Sequence, residues 1–291
     1  MSKNAVLRIV LWSLVLVILV GILVMGLGAF RIFNRSDEPD LQHYERGITT
    51  DGTFCCEFAA EDIRKLEIEW VSGDIILQSD DTADTVRVLE EYTADTKNQL
   101  VYKRSGNTLT IQFCEDSISF PSFGFNYSGD INKDLTILVP SDWICEELEI
   151  VTASANLLIR DVTIREVDFD GASGTCDFVN CTVDNLDIDT ASGDVRFQGV
   201  LESLNFDAAS ASFYGELQNT PRHMEVDGAS GDLELFLPED SGFSVSVDGL
   251  SCKFSSDFPF EMKNGYYVHG DGSCKIDVDG MSSNVSIYKA K

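Results

Sequence analysis

Residues 186–197 read LDIDTASGDVRF, and residues 224–235 read MEVDGASGDLEL. Weaker copies of the same dozen lie between and around them. Aligned on the serine of A-S-G, the copies centre on Ser72, Ser154, Ser173, Ser192, Ser210, Ser230, Ser251 and Ser282. From Ser154 to Ser251 they recur every 18 to 21 residues. A period of that length marks a repeat architecture, in which each unit needs its neighbours.

The columns of this alignment say what each unit is. Six positions before the serine stand Leu148, Val167, Leu186, Leu204, Met224, Val245 and Ile276. Four before stand Ile150, Phe169, Ile188, Phe206, Val226, Val247 and Val278. Three after stand Leu157, Cys176, Val195, Phe213, Leu233, Phe254 and Val285. Five after stand Ile159, Phe178, Phe197, Leu235 and Ile287, with Gly215 and Ser256 as exceptions. Apolar residues two apart on both sides of a small corner describe two β-strands, each with one buried and one wet face. A single unit cannot bury its own apolar face. Units stacked at the spacing of paired strands, about 4.8 Å, share one continuous core. The expected fold is all-β, a β-solenoid-like stack of roughly 19-residue repeats. A two-sheet β-sandwich is the alternative, because periodicity does not fix connectivity.

The chain before Ser154 is less regular. KLEIEWVSGDIILQ (65–78) is one further copy. TVRVLEEY (85–92), QLVYKR (99–104) and NTLTIQF (107–113) read as alternating strands, with RSGN (104–107) as a hairpin turn. DLTILVPSDW (134–143) reads as a strand stopped by Pro140.

These segments carry a resemblance. LEIEWVSGDIIL, DLTILVP, LDIDTASGDVRF and MEVDGASGDLELFLP resemble the bacterial putative-adhesin family, a domain of unknown function with recurring small turns between alternating strands. The resemblance covers roughly residues 53–288. It implies attachment at a cell surface and supplies no catalytic residues. ASAN (153–156), ASAS (209–212) and LSCK (250–253) depart from the turn pattern, so the turn row tolerates variation.

Between Arg8 and Arg31 lies IVLWSLVLVILVGILVMGLGAF, which contains no charge. As a helix it rises about 33 Å, enough for a hydrocarbon core of about 30 Å. The expected plan is a short tail (1–8), one transmembrane helix (9–30), a juxtamembrane linker (31–52) and a β-repeat domain (53–291). A cleaved signal peptide is the alternative, supported by Gly26, Gly28 and Ala29 near the end of the apolar run. Basic residues are nearly balanced on the two sides, so the positive-inside rule does not orient the chain. A short tail before a large domain favours a single-pass cell-membrane protein with its carboxyl-terminal domain extracellular.

The formal net charge is −28. Residues 1–35 hold four bases and no acid, so the remainder carries 17 basic and 49 acidic residues, a net of −32. Such a surface repels nucleic acid and anionic lipid headgroups. It suits cations, basic partners or plain solubility.

Three residues before the anchor serine stand Asp170, Asp189, Asp207, Asp227, Asp248 and Asp279. Stacked, they form a ladder of like charges that needs compensation. Each aspartate can cap its own turn through a backbone N–H two residues on. Calcium shared between rungs is the other possibility, although the calcium-binding β-roll repeat pattern is missing. No other cofactor is expected. The histidines, His43, His223 and His269, accompany no nucleophile elbow, zinc-protease motif or phosphate loop. No catalytic residues are expected, and the chain reads as a non-enzyme.

Two further features stand out. SISFPSFGFNYSG (117–129) crowds Phe120, Phe123, Phe125 and Tyr127 into a glycine- and serine-rich loop. These rings suit contact with a partner, or a cap over an open end of the core. Cys252 and Cys274 sit in similar settings, LSCKF and GSCKI, so equivalent corners on neighbouring rungs would allow a disulfide.

The functional expectation is a non-enzymatic, membrane-anchored cell-envelope protein whose β-repeat domain binds an unknown surface ligand or protein. The alternative is a regulatory or sensory ectodomain in an envelope stress response, acting through a membrane partner.

Overall fold

Alternating apolar residues become strands almost throughout residues 53–91, 100–113 and 133–290, which a computed structural model of the chain describes. The expected anchor (9–30), the linker (31–52) and the aromatic stretch with Phe120, Phe123, Phe125 and Tyr127 lie outside the described residues. Among the described residues no helix is long and apolar enough to cross a membrane.

In chain order the strands are β1 (Thr53–Ala59), β2 (Lys65–Asp80), β3 (Thr85–Glu91), β4 (Val101–Ser105), β5 (Thr108–Gln112), β6 (Asp134–Pro140) and β7 (Ile144–Arg160). Then come β8 (Thr163–Gly171), β9 (Cys176–Ser192), β10 (Val195–Ser210), β11 (Phe213–Leu217), β12 (His223–Ser230) and β13 (Leu233–Leu237). The last are β14 (Phe243–Gly249), β15 (Lys253–Ser256), β16 (Glu261–Lys263), β17 (Tyr266–His269), β18 (Cys274–Ser282) and β19 (Asn284–Lys289). A short 3-10 turn, Ala60–Asp62, follows β1.

The strands wind as a coil of two facing sheets. Each turn contributes a strand of the first sheet before the A-S-G corner and a strand of the second sheet after it. The long strands β2, β7, β9 and β10 bend round corners and join both sheets. Pairing within the repeats is parallel and in register, as where Leu186 lies opposite Leu204 and Val195 opposite both Cys176 and Phe213. A second corner closes each turn at Asp161, Asn180 and Gly199, all at positive φ. The all-β fold expected from the period is present, and its repeats stack in parallel register.

The apolar columns point inward. Leu148, Val167, Leu186, Leu204, Met224, Ile276 and Val245 are all buried, as are Leu157, Cys176, Val195, Phe213, Leu233 and Val285. Gly215 breaks one column because its neighbours fill the space: a Cβ there would touch Leu235 Cδ2 and Phe213 Cε1, each at 3.1 Å. At the amino-terminal end the coil gives way to antiparallel pairs, β1 with β3, β3 with β6, and β4 with β5.

The rung order is not the chain order. β18 lies between β12 and β14, and β19 between β13 and β15. The last stretch of chain therefore slots inside the stack. The outer rung is β14 with β15, followed by the β16–β17 hairpin on β14.

This order corrects the expected disulfide. Cys274 begins β18 opposite Phe243, whereas Cys252 lies at the far corner, its Sγ 3.5 Å from the Gly280 oxygen. The six residues from Cys274 to Gly280 along β18 span about 20 Å, far beyond disulfide reach. Both thiols are free. The similar pentapeptides mislead because one enters a strand at the start of a rung and the other leaves a corner in its middle.

The inside–outside assignment has a direct test. Val195 is buried, while its neighbour Arg196 points outward to Asp177 at 3.4 Å. Val195→Asp should cost about 4 kcal/mol or more, enough to threaten folding. Arg196→Ala should stay within about 0.5 kcal/mol, since an exposed pair of this kind contributes little. Thermal melts of the two variants should differ widely, and equal losses would reverse the assignment.

Candidate functional site

The aspartate column forms as a ladder. Asp170 lies opposite Asp189, Asp189 opposite Asp207, and Asp207 opposite Asp227. Asp227 then lies opposite Asp279, and Asp279 opposite Asp248. The inserted rung thus exchanges the last two places. Strand pairing sets the spacing along the ladder at about 4.8 Å.

A second acidic column runs beside it, two residues earlier on the same face. Glu67, Glu149, Asp168, Asp187, Asn205, Glu225 and Asp277 are successive neighbours. Asn205 interrupts the charges and donates Nδ2–H to Asp187 Oδ1 at 2.9 Å. One step further back, Lys65 pairs with Glu147 at the edge of the acidic field. The outer face of the first sheet is therefore a broad, flat acidic surface. The sequence shows the first column through its period. The second escaped notice because its residues alternate among Glu, Asp and Asn.

The turn-capping compensation is not made. Among the described residues, the carboxylates of Asp170, Asp189, Asp207 and Asp227 take no capping bond from the backbone two residues on. Nor are any three His, Cys, Asp or Glu side chains grouped so as to hold a metal ion. Each rung offers one carboxylate per column on a flat face, without the concave set of oxygens that calcium requires. The uncompensated charge instead holds the carboxyls above their ordinary range. Partial burial, reinforced by Asp170, Asp187 and Asp168, pushes the Asp189 carboxyl up to about 6. Burial first, then neighbouring carboxylates, also raises Glu149, Asp168, Asp170, Asp207 and Asp227.

His269 is a packing residue. His269 Nδ1 lies 2.6 Å from the Pro259 oxygen, and its ring packs on Phe243 and Phe258 at 5.3 and 4.9 Å. His223 stands 3.7 Å from Glu225. His43 lies outside the described residues. The thiols of Cys145, Cys176 and Cys274 are pushed up to about 12 by burial, so they pack rather than react. A small cleft between Phe206, Val226 and Val278 holds about 10 Å³, at the lower limit for one water.

Sequence reading missed one charged centre. Glu90 and Lys133 form an ion pair with side chains 0% and 2% exposed. Leu100 donates its N–H to both Glu90 oxygens at 3.2 and 3.0 Å. The Lys133 ammonium also meets the Phe113 carbonyl and lies 4.1 Å from the Phe113 ring and 4.9 Å from that of Trp70. The signal was parity: Glu90 shares the inward alternation of Val86 and Val88.

A family model described as Toastrack DUF4097 matches residues 63–213 and 145–288. Solved structures of similar shape include one described as a putative adhesin from Bacteroides fragilis, 14% identical, with TM-score 0.47. That match covers 81% of this chain and 98% of the other. Another, described as a putative cell adhesion protein from Clostridium sporogenes, is 8% identical over the same shares, with TM-score 0.39. A third, described as a putative lipid binding protein from Parabacteroides distasonis, is 16% identical, with TM-score 0.36, covering 83% of this chain and 98% of that one. No curated protein sequence matches the chain.

The acidic face sets a pH dependence. A carboxyl whose folded pKa is raised above its unfolded value stabilises the fold while protonated and loses that contribution as pH rises through the folded pKa. For Asp189 the loss runs from about 4 to about 6. At low ionic strength the domain should melt at a higher temperature at pH 5 than at pH 7. Added salt should narrow the gap by screening the columns. Asp189→Asn should raise the pH 7 melting temperature and shrink the pH difference. A variant less stable than the parent at pH 7 would contradict the repulsion.

Proposed function

The chain belongs to the Toastrack DUF4097 family, and from that premise we propose a non-enzymatic, membrane-anchored cell-envelope protein whose β-repeat domain binds at the cell surface. The observation that carries this reading is the pairing of a filled core with a broad, flat acidic face. Residues stacked in register fill the space between the sheets with side chains. The described part thus offers extended surface for contact rather than an interior for a small substrate. A flat face in which carboxylates recur at every rung suits a large cationic or basic surface partner, contacted at many points at once. Nucleic acid does not fit, because its phosphates would meet the same charge.

Anchoring rests on residues 9–30, whose uncharged run is long enough to span a bilayer as a helix. In this reading the chain crosses once, the acidic domain lies outside, and residues 31–52 hold it off the membrane. An aromatic contribution from Phe120, Phe123, Phe125 and Tyr127 to partner contact belongs to the same proposal.

Protease applied to intact cells tests the topology. The β-repeat domain should disappear from the cell-associated pool without lysis, leaving a short fragment containing residues 9–30. Digestion only after lysis would place the domain inside and remove the surface-binding reading with it.

A further inference from the structure

The two ends of the coil are finished differently. At the carboxyl-terminal end the first sheet runs two strands beyond the second: β17 and β16 continue past β14, while the second sheet stops at β15. The overhang has an inner side. Tyr267 lies opposite Val245 and stacks on Phe254 at 4.5 Å, and Phe260 packs edge-on against both rings. Met262 lies opposite Tyr267 on that same side, yet it is 59% exposed. Phe260, on the same side, is 41% exposed, while Tyr266, opposite Lys263 on the other side, is 42% exposed. Exposed apolar side chains gathered on a sheet edge mark a contact surface.

The edge itself is specific. Among the described residues β16 pairs only with β17. The hairpin turns through Asn264 and Gly265, both at positive φ, so Lys263 and Tyr266 close a two-residue loop. The closing pair of such a loop exchanges both backbone bonds, and the alternation of an antiparallel ladder then turns the N–H and C=O of Met262 outward. The three residues read Glu261, Met262, Lys263. That order is self-complementary. A second identical strand, antiparallel and centred on Met262, sets Glu261 against Lys263 at both ends and Met262 against Met262 in the middle. Within one chain the same two charges already share a face, Lys263 Nζ to Glu261 Oε2 at 3.0 Å.

We propose that this end is a self-association surface at which β16 pairs antiparallel with β16 of a second copy, centred on Met262. The two first sheets become continuous across a two-fold axis. The Met262 and Phe260 side chains of both copies cover each other on the inner side. The contact is isologous and closes at a dimer, so it does not propagate into fibres. A pair of three-residue strands buries less than the about 1,200 Å² of a stable complex, so the association is weak and depends on local concentration. Attachment to one membrane would supply that concentration.

The test uses the full chain, purified in detergent, with cysteine cross-linking read on non-reducing gels. Met262→Cys sets two thiols opposite each other and should give a covalent dimer far faster than an exposed control, Glu239→Cys. Equal rates, or no dimer, overturn the proposal. Capture of a different protein by Met262→Cys assigns the edge to a foreign partner and also overturns it. Charge exchange then tests the register in the Met262→Cys background. Lys263→Glu alone and Glu261→Lys alone each place like charges opposite one another and should weaken association about tenfold. A mixture of the two chains restores opposite charges and should recover cross-linking as the mixed dimer. Single variants that cross-link normally, or a mixture that fails to recover, would refute the antiparallel register. Circular dichroism of each variant confirms the fold, which substitutions at these exposed positions leave in place.

Discussion

The whole architecture depends on one close approach, backbone to backbone, at the A-S-G corner. Parallel rungs stack at the spacing of hydrogen-bonded strands, and the corner must turn within that height. At Gly193, with φ +119°, a Cβ would collide with the carbonyl of Gly174 on the rung below. At Gly174, with φ +130°, it would collide with the carbonyl of Ala155. Glycine is the residue that tolerates both the dihedral and the contact. The rungs with Ala155 and Ala211 at this position show the other solution. Neither residue has a positive φ; at Ala155 the backbone passes the bend within one long strand, β7, and at Ala211 it passes between β10 and β11. The two solutions meet on adjacent rungs, Ala155 beneath Gly174 and Ala211 beneath Gly231. A glycine is therefore needed where the carbonyl below intrudes, not at every repeat.

Fixing the corner fixes the register, and the register has a cost on the outer face. Because each rung repeats the last, like residues fall on like residues. On the inside this gives continuous apolar packing, such as Phe178 on Phe197 at 5.5 Å. On the outside it sets carboxylate against carboxylate. The same periodicity that assembles the core concentrates charge in two columns, and cross-strand repulsion of this kind opposes pairing. The core outweighs it. Among the residues framing the columns, Leu186, Ile188, Leu204 and Phe206 are 0% to 2% exposed. A sequence selected for folding alone would place lysines among these acids, as Lys65 stands against Glu147 at one edge. Retaining unrelieved acids across six rungs points to a use for the face.

The period was legible in the sequence because stacking demands it. Val195, Phe213 and Leu233 fall in one column by spacing alone, and they do lie side by side. The aspartate ladder was legible for the same reason. What the sequence hid was rung order. Nothing local distinguishes β18 from a strand that follows β14 in space, because Ile276 and Val245 fit the same column equally well. The choice is made by the β16–β17 hairpin, which occupies the far side of β14 and leaves the last stretch of chain only the gap beside β12. The misleading likeness around Cys252 and Cys274 arose from that ambiguity. Glu90 was hidden differently. Its inward parity was visible, but its partner Lys133 lies 43 positions away, beside rather than within a strand.

The two finished ends show what a stack must do with its last strands. At the amino-terminal end, the antiparallel strands seal the core around Glu90 and Lys133. Each charge there is met by the other and by backbone groups, which is the condition under which a buried pair is tolerated. Removing either would leave the other charged and dry, so the seal is fixed in one arrangement. Among the described residues, the carboxyl-terminal end has no such buried ion pair. Phe254, Phe258, Phe260 and Tyr267 close the core chiefly by ring packing, joined by His269, and the sheet continues past them. Ring packing is less demanding than a buried ion pair, and it accepts further apolar surface on top. The asymmetry follows from chemistry at each end. One end is completed by its own charges, while the other presents an edge and a patch of the kind that contact with another β-strand completes.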